Sequence, residues 1–150
     1  MKKFICFCII CFSFLCFYGF GKVKELPVEF KNSAIQIFTS TQNQNHLPYK
    51  NIKNGNGLVY FSHYNNIDTM LKNLVGVSGV TYILQGDYNS YCDLQNKLKI
   101  KTIEKTKDSC VGFSDYFGIT THYKNKKVNV QMCFSENKIY VGTPLILGCY

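Results

Sequence analysis

From Val128 to Phe134, apolar and polar residues alternate without a break: Val128, Val130, Met132 and Phe134 on one parity, Asn129, Gln131 and Cys133 on the other. Side chains of a strand point to opposite faces with a period of two, so the segment reads as a strand with one buried face. A lone strand leaves its backbone groups unpaired and its apolar face in water. The chain must therefore build an antiparallel sheet around it and a second layer to cover that sheet.

The flanking sequence supplies both. Lys124-Asn125-Lys126 and Ser135-Glu136-Asn137 read as turns on either side. Cys110 to Tyr123, with a break near Asp115 to Gly118, and Ile139 to Leu147 read as further strands, and Pro144 marks the second as an edge or a bulge. Lys99 to Lys107 also alternates, with Lys99, Lys101, Ile103, Lys105 and Lys107 on one parity. Upstream, Leu58 to Ser62 and Val80 to Leu84 read as short strands. Between them Asn66 is a helix cap with Asp68 at the positive end, and Ile67, Met70, Leu71, Leu74 and Val75 form one helical stripe that Gly76 ends. Ser90-x-x-Asp93 reads as the capping-box start of a second helix that buries Tyr91, Leu94 and Leu98. The order β-α-β-α-β-β-β-β over residues 58–150 describes an α+β domain, an antiparallel sheet with two helices packed on one face. Residues 22–57 read as one short strand carrying Ile35 and Ile37, then a polar linker ending Asn54-Gly55-Asn56-Gly57.

Ahead of this domain, Met1-Lys2-Lys3 precedes an almost unbroken apolar run from Phe4 to Phe20. Its length falls between a signal-peptide core and a spanning helix. Gly19-Phe20-Gly21 offers small residues for a cut after Gly21. Residues 1–21 thus read as a cleaved signal peptide or an N-terminal membrane anchor through residues 4–20. Either directs the domain out of the cytoplasm, secreted or held on the outer face of the membrane. Cys6, Cys8, Cys11 and Cys16 lie in the run. The other four, Cys92, Cys110, Cys133 and Cys149, allow two disulfides in three connectivities, or four buried thiols. None forms a CxxC pair, so no metal site is expected.

All 17 basic residues are lysine, and the formal net charge is +8. Arginine, whose planar fork suits bidentate contact with phosphates and base edges, is absent, which disfavours nucleic acid as partner. The lysines are concentrated. Lys97, Lys99, Lys101, Lys105 and Lys107 can line one strand face, and Lys124, Lys126 and Lys127 sit at a hairpin. Outside the membrane such a face suits anionic head groups or wall polymers, although lysines along a strand also block edge-to-edge aggregation. For catalysis the sequence offers little. His46, His63 and His122 are the three histidines, and Ser62 and Ser78 are not in a GxSxG elbow. GxxxxGK and GxGxxG loops are missing, so no cofactor is expected. Asp87 and Asp93 have local work as turn and cap.

Several stretches resemble the YwmB family of exported Firmicutes proteins: Tyr82-Ile83-Leu84-Gln85-Gly86-Asp87-Tyr88, Lys101-Thr102-Ile103-Glu104, Cys110-Val111-Gly112-Phe113-Ser114, Val128-Asn129-Val130-Gln131, and Val141-Gly142-Thr143-Pro144-Leu145-Ile146 shortly before the terminal Tyr150. The resemblance covers about residues 58–150 and implies a fold similar to one half of the TATA-box-binding protein. It supplies no catalytic residues, and fold alone does not carry DNA binding. The expectation is a non-enzymatic module of the cell envelope that binds a protein or an anionic envelope component. Its candidate surfaces are the lysine set and the Gly142-Thr143-Pro144 motif. Two alternatives stand beside it: an envelope enzyme collecting His63, His122 and a carboxylate in a polar pocket, and a nucleic-acid-binding domain.

Overall fold

The computed structural model describes residues 26, 33–40, 47, 49–55 and 57–146. Among them the strands are β1 (Ala34–Thr39), β2 (Lys50–Asn54), β3 (Gly57–His63), β4 (Val77–Gln85), β5 (Lys101–Lys105), β6 (Ser109–Phe113), β7 (Thr121–Tyr123), β8 (Lys126–Val128), β9 (Val130–Ser135) and β10 (Lys138–Thr143). Helix α1 (Ile67–Asn73) links β3 to β4, and α2 (Tyr88–Lys97) links β4 to β5. Eight strands form one sheet in the order β2-β3-β1-β4-β10-β9-β6-β5, while β7 and β8 pair as a separate hairpin. Every pairing is antiparallel. The expected α+β class and the broad helix–strand order hold.

The register explains the core. Ile35 and Ile37 of β1 lie opposite Tyr82 and Val80 of β4, which in turn face Val141 and Thr143 of β10. Val141 and Ile139 then face Met132 and Phe134 of β9, and Met132 faces Cys110 of β6. Directly opposed residues share a face, so this row forms one side of the sheet. Both helices cover that side: Ile67 and Met70 of α1 and Tyr91 and Leu94 of α2 join the same buried cluster as Ile35, Tyr82, Met132 and Val141. Burying side chains of this size is worth about 1.5–3 kcal/mol each. In the α1 stripe Leu74 stays buried, but Val75 is 72% exposed because the helix stops at Asn73 and Gly76 turns the chain at positive φ.

Several local expectations are corrected. The supposed linker contains β2, a five-residue strand hairpinned to β3. The boundary at 57/58 cuts through the sheet, since β1 sits between β3 and β4. Asn66 makes no side-chain cap on α1, and its amide instead donates to Ser62 Oγ at 3.2 Å. The α2 cap is Asp87, one residue before Tyr88, with its carboxylate accepting from Ser90 N at 2.8 Å and Ser90 Oγ at 2.7 Å. β10 lies inside the sheet, and Pro144 follows its last residue through a cis peptide bond rather than marking an edge.

Two features close the fold at its β6–β10 end. After Thr143 the chain turns back over Gly142, where an added Cβ would lie 2.2 Å from Ile146 N. The Ile146 amide donates to the side chain of Gln131 on β9 at 3.0 Å, and Ile146 is buried. Nearby, the long strand expected from Val128 to Phe134 breaks at Asn129, which is fully buried. Its Oδ1 accepts from Ser114 N at 2.8 Å, and its Nδ2 donates to the carbonyls of Ser114 and Phe117, both at 2.7 Å. The Ser114 hydroxyl donates onward to the Leu98 carbonyl beyond α2. One amide thus ties the β6–β7 connection to the start of β9, and Ser114 carries the tie to the end of α2.

Candidate functional site

The lysine set is assembled at one end of the sheet. Helix α2 ends at Lys97, Leu98 plugs the core, and Lys99 reverses the chain at φ 49° into β5. Strand β5 is the sheet edge beyond β6. Its register runs Lys101 opposite Phe113 and Thr102 opposite Gly112, then shifts before Glu104 opposite Val111 and Lys105 opposite Cys110. Phe113 and Cys110 have opposite parity on β6, so the bulge at Ile103 sends Lys101 and Lys105 to opposite faces. The expected single lysine face is therefore split across both sides of one edge. Lys105 reaches over α2 to Gln95 Oε1 at 3.2 Å, while Lys101 lies 4.0 Å from Asp115 on the other side. Lys107 sits in the β5–β6 turn, where its carbonyl accepts from the Tyr88 hydroxyl at 3.1 Å.

The second lysine group is brought to the same edge. Lys124 and Asn125 both have positive φ, 48° and 61°, as the two central residues of a type I′ hairpin turn require. The Glu104 carboxylate of β5 pairs with Lys124 Nζ and accepts from the Tyr123 hydroxyl at 3.3 Å. Lys124 also stands 5.3 Å from the centre of the Tyr123 ring. The hydrogen bond and charge of Lys124 hold the Glu104 carboxyl below its ordinary range, and the same pairing raises Lys124. The hairpin is thereby docked on β5, which brings Lys124 of the second group to the same edge that carries Lys101 and Lys105.

Between Lys97 and Lys127 the chain carries eight lysines against three carboxylates, Glu104, Asp108 and Asp115. Lys97, Lys99, Lys107, Lys126 and Lys127 are exposed, and none has a carboxylate partner among the described residues. Ammonium groups are compact, hydrated point charges that suit a polyanion of flexible geometry. Nothing here offers a planar bidentate fork.

The other sequence candidates do not converge. His63 and His122 are exposed on β3 and β7, in different sheets, and Ser62 is hydrogen-bonded to Asn66. No group of three His, Cys, Asp or Glu side chains comes together among the described residues. Cys92 is half-buried on α2, Cys110 is buried on β6 and Cys133 is half-buried on β9, opposite Ser109. Cys110 and Cys133 have opposite facing directions, because Cys110 pairs with Met132. Burial raises the Cys110 thiol, and burial together with the adjacent Cys110 raises the Tyr91 phenol. Cys149, His46 and residues 1–21 lie outside the described residues. Among those described, no helix is long and apolar enough to cross a membrane. Gly142-Thr143-Pro144 has a structural task, the reversal that brings Ile146 over β10. Asn129 was invisible as a key residue, since its position in the alternation assigned it to the wet face.

Comparisons with protein-family models, with curated proteins and with solved structures returned no match.

Proposed function

We propose that this chain is an exported, non-enzymatic binding module of the cell envelope, and that the edge formed by the end of α2, β5 and the β7–β8 hairpin contacts an anionic envelope component. The observation that carries the reading is the docking of the hairpin on Glu104, which brings the turn that holds Lys124 to the β5 edge. A carboxylate that recruits a lysine-bearing hairpin while leaving its neighbours unpaired concentrates positive charge locally. Edge protection alone explains Lys101 and Lys105, but not the lysines outside β5. The apolar run from Phe4 to Phe20 and the resemblance to exported proteins support the compartment. A lysine held near an anionic surface contributes about 1 kcal/mol, so several together give binding that salt weakens.

The test is co-sedimentation of the full chain with vesicles of anionic or zwitterionic lipid, with anionic wall polymer, and with duplex DNA, over a salt series. Binding to an anionic lipid or wall polymer that fades with salt supports the proposal. Tighter binding to DNA transfers the edge to the nucleic-acid reading, and no binding to any probe removes the anionic partner.

A further inference from the structure

The two edges of the eight-stranded sheet are built differently. Strand β5 is bulged and carries the docked hairpin. Strand β2 pairs with β3 through five consecutive residues with no register shift, and all five of its side chains are exposed. Ile52, at its centre, is 53% exposed, and it points to the same face as Val59 of β3. A regular, unshifted edge strand with an exposed aliphatic side chain is a template for another strand.

We infer that β2 pairs with β2 of a second copy of this chain, antiparallel about a two-fold axis through Ile52. The strand sequence Lys50-Asn51-Ile52-Lys53-Asn54 is complementary to itself in that register. Ile52 meets its own copy, Asn51 meets Lys53, and Lys50 meets Asn54. No lysine stands directly opposite a lysine, and the nearest like pair, Lys53 with its own copy, is diagonal across the axis. The backbone agrees. The two-residue spacing between Asn54 and Gly57 makes them a hydrogen-bonded pair of a tight hairpin. Alternation then turns the N–H and C=O of Asn51 and Lys53 outward. In the two-fold register these residues face one another across the axis and can exchange both bonds, with the Ile52 pair between them in the close, non-hydrogen-bonded position. The result is one sheet continuous across two copies, with the lysine-bearing β5 edges at its far ends. A dimer therefore presents two basic edges, although the pairing does not depend on what those edges bind.

Single cysteines at successive β2 positions in the full chain test this through oxidative crosslinking. I52C brings like residues together, whereas K50C and N54C place each cysteine opposite a different residue. The expected result is a disulfide-linked dimer several-fold stronger for I52C than for K50C, N54C, an edge control K105C or the wild-type chain with its native cysteines. A second arm measures amide exchange of Asn51 and Lys53, which slows as protein concentration rises in the wild type but not in I52K, where lysine would oppose lysine. Equal crosslinking along β2, a maximum at K105C, or exchange independent of concentration would overturn the inference. Because Ile52 is exposed, both variants keep the fold, and circular dichroism checks that they do.

Discussion

Removing the Asn129 side chain gives the sharpest test of how the lysine-bearing end is held. In Asn129→Ala the buried Ser114 N–H and Phe117 carbonyl lose their partner at once, and the Ser114 carbonyl keeps only the Phe117 N–H at 3.3 Å. A buried polar group left unpaired costs about 1–3 kcal/mol, and relaxation recovers part of that for two neighbouring groups. The expected loss is about 3 kcal/mol, a large share of the roughly 5–15 kcal/mol that holds a domain together. The chain has no tryptophan, so equilibrium urea denaturation is followed by far-ultraviolet circular dichroism. Asn129→Asp sharpens the reasoning because it keeps the shape and replaces the donating NH2 by an oxygen facing two carbonyls. The introduced carboxyl is held protonated by the fold, with a folded pKa above its unfolded value of about 3.9. Its penalty relative to wild type is smallest below that value and grows as pH rises through the folded pKa. A loss under about 0.5 kcal/mol for Asn129→Ala, or a penalty for Asn129→Asp that shrinks as pH rises, would refute the role assigned to this node.

Three further outcomes follow from the geometry. Gly142→Ala forces the chain reversal off β10, because the new Cβ would lie 2.2 Å from Ile146 N. It should cost about 2 kcal/mol or more by thermal denaturation, and a neutral result would mean the segment moves aside freely. Glu104→Gln should loosen the β7–β8 hairpin, read as faster amide exchange over Thr121–Val128. In the wild type the depressed Glu104 pKa makes the pair's contribution present above the ordinary glutamate range and lost as pH falls through the folded value. Protection over this hairpin, taken relative to the intrinsic exchange rate at each pH, that stays constant down to pH 3 would contradict the docking. Under native conditions Cys92 should react with a thiol reagent well before buried Cys110, measured by mass spectrometry after trapping. The reverse order would contradict the burial that raises Cys110.

What could be read in the sequence was periodic. The helix stripes of Ile67, Met70 and Leu74 and of Tyr91, Leu94 and Leu98 marked core faces, and all six are buried. The strand parity of Val130 and Met132 held for the same reason. Features without a burial rhythm escaped. Strand β2 exposes all five side chains, so pairing alone makes it a strand and composition read it as linker. Asn129 sits on the polar parity yet is fully buried, because alternation cannot tell solvent from a satisfied amide. The bulge at Ile103 also has no signature in Lys99 to Lys107, and it divides what looked like one lysine face. The joining of the two lysine groups depends on a long-range contact between Glu104 and the hairpin, which neither local pattern contains.

Charge placement can be separated from charge amount with two quadruple variants of the full chain. One replaces Lys97, Lys99, Lys126 and Lys127 by glutamine. The other replaces Lys50, Lys53, Lys72 and Lys138, which lie outside α2, β5 and the β7–β8 hairpin, and changes the net charge equally; both are built on I52K so that β2 pairing does not contribute. Affinity for anionic vesicles and wall polymer is measured for both at matched salt. A large loss for the first variant with little change for the second is the predicted result. Equal losses would mean that only net charge matters, and the basic edge would not be a binding site.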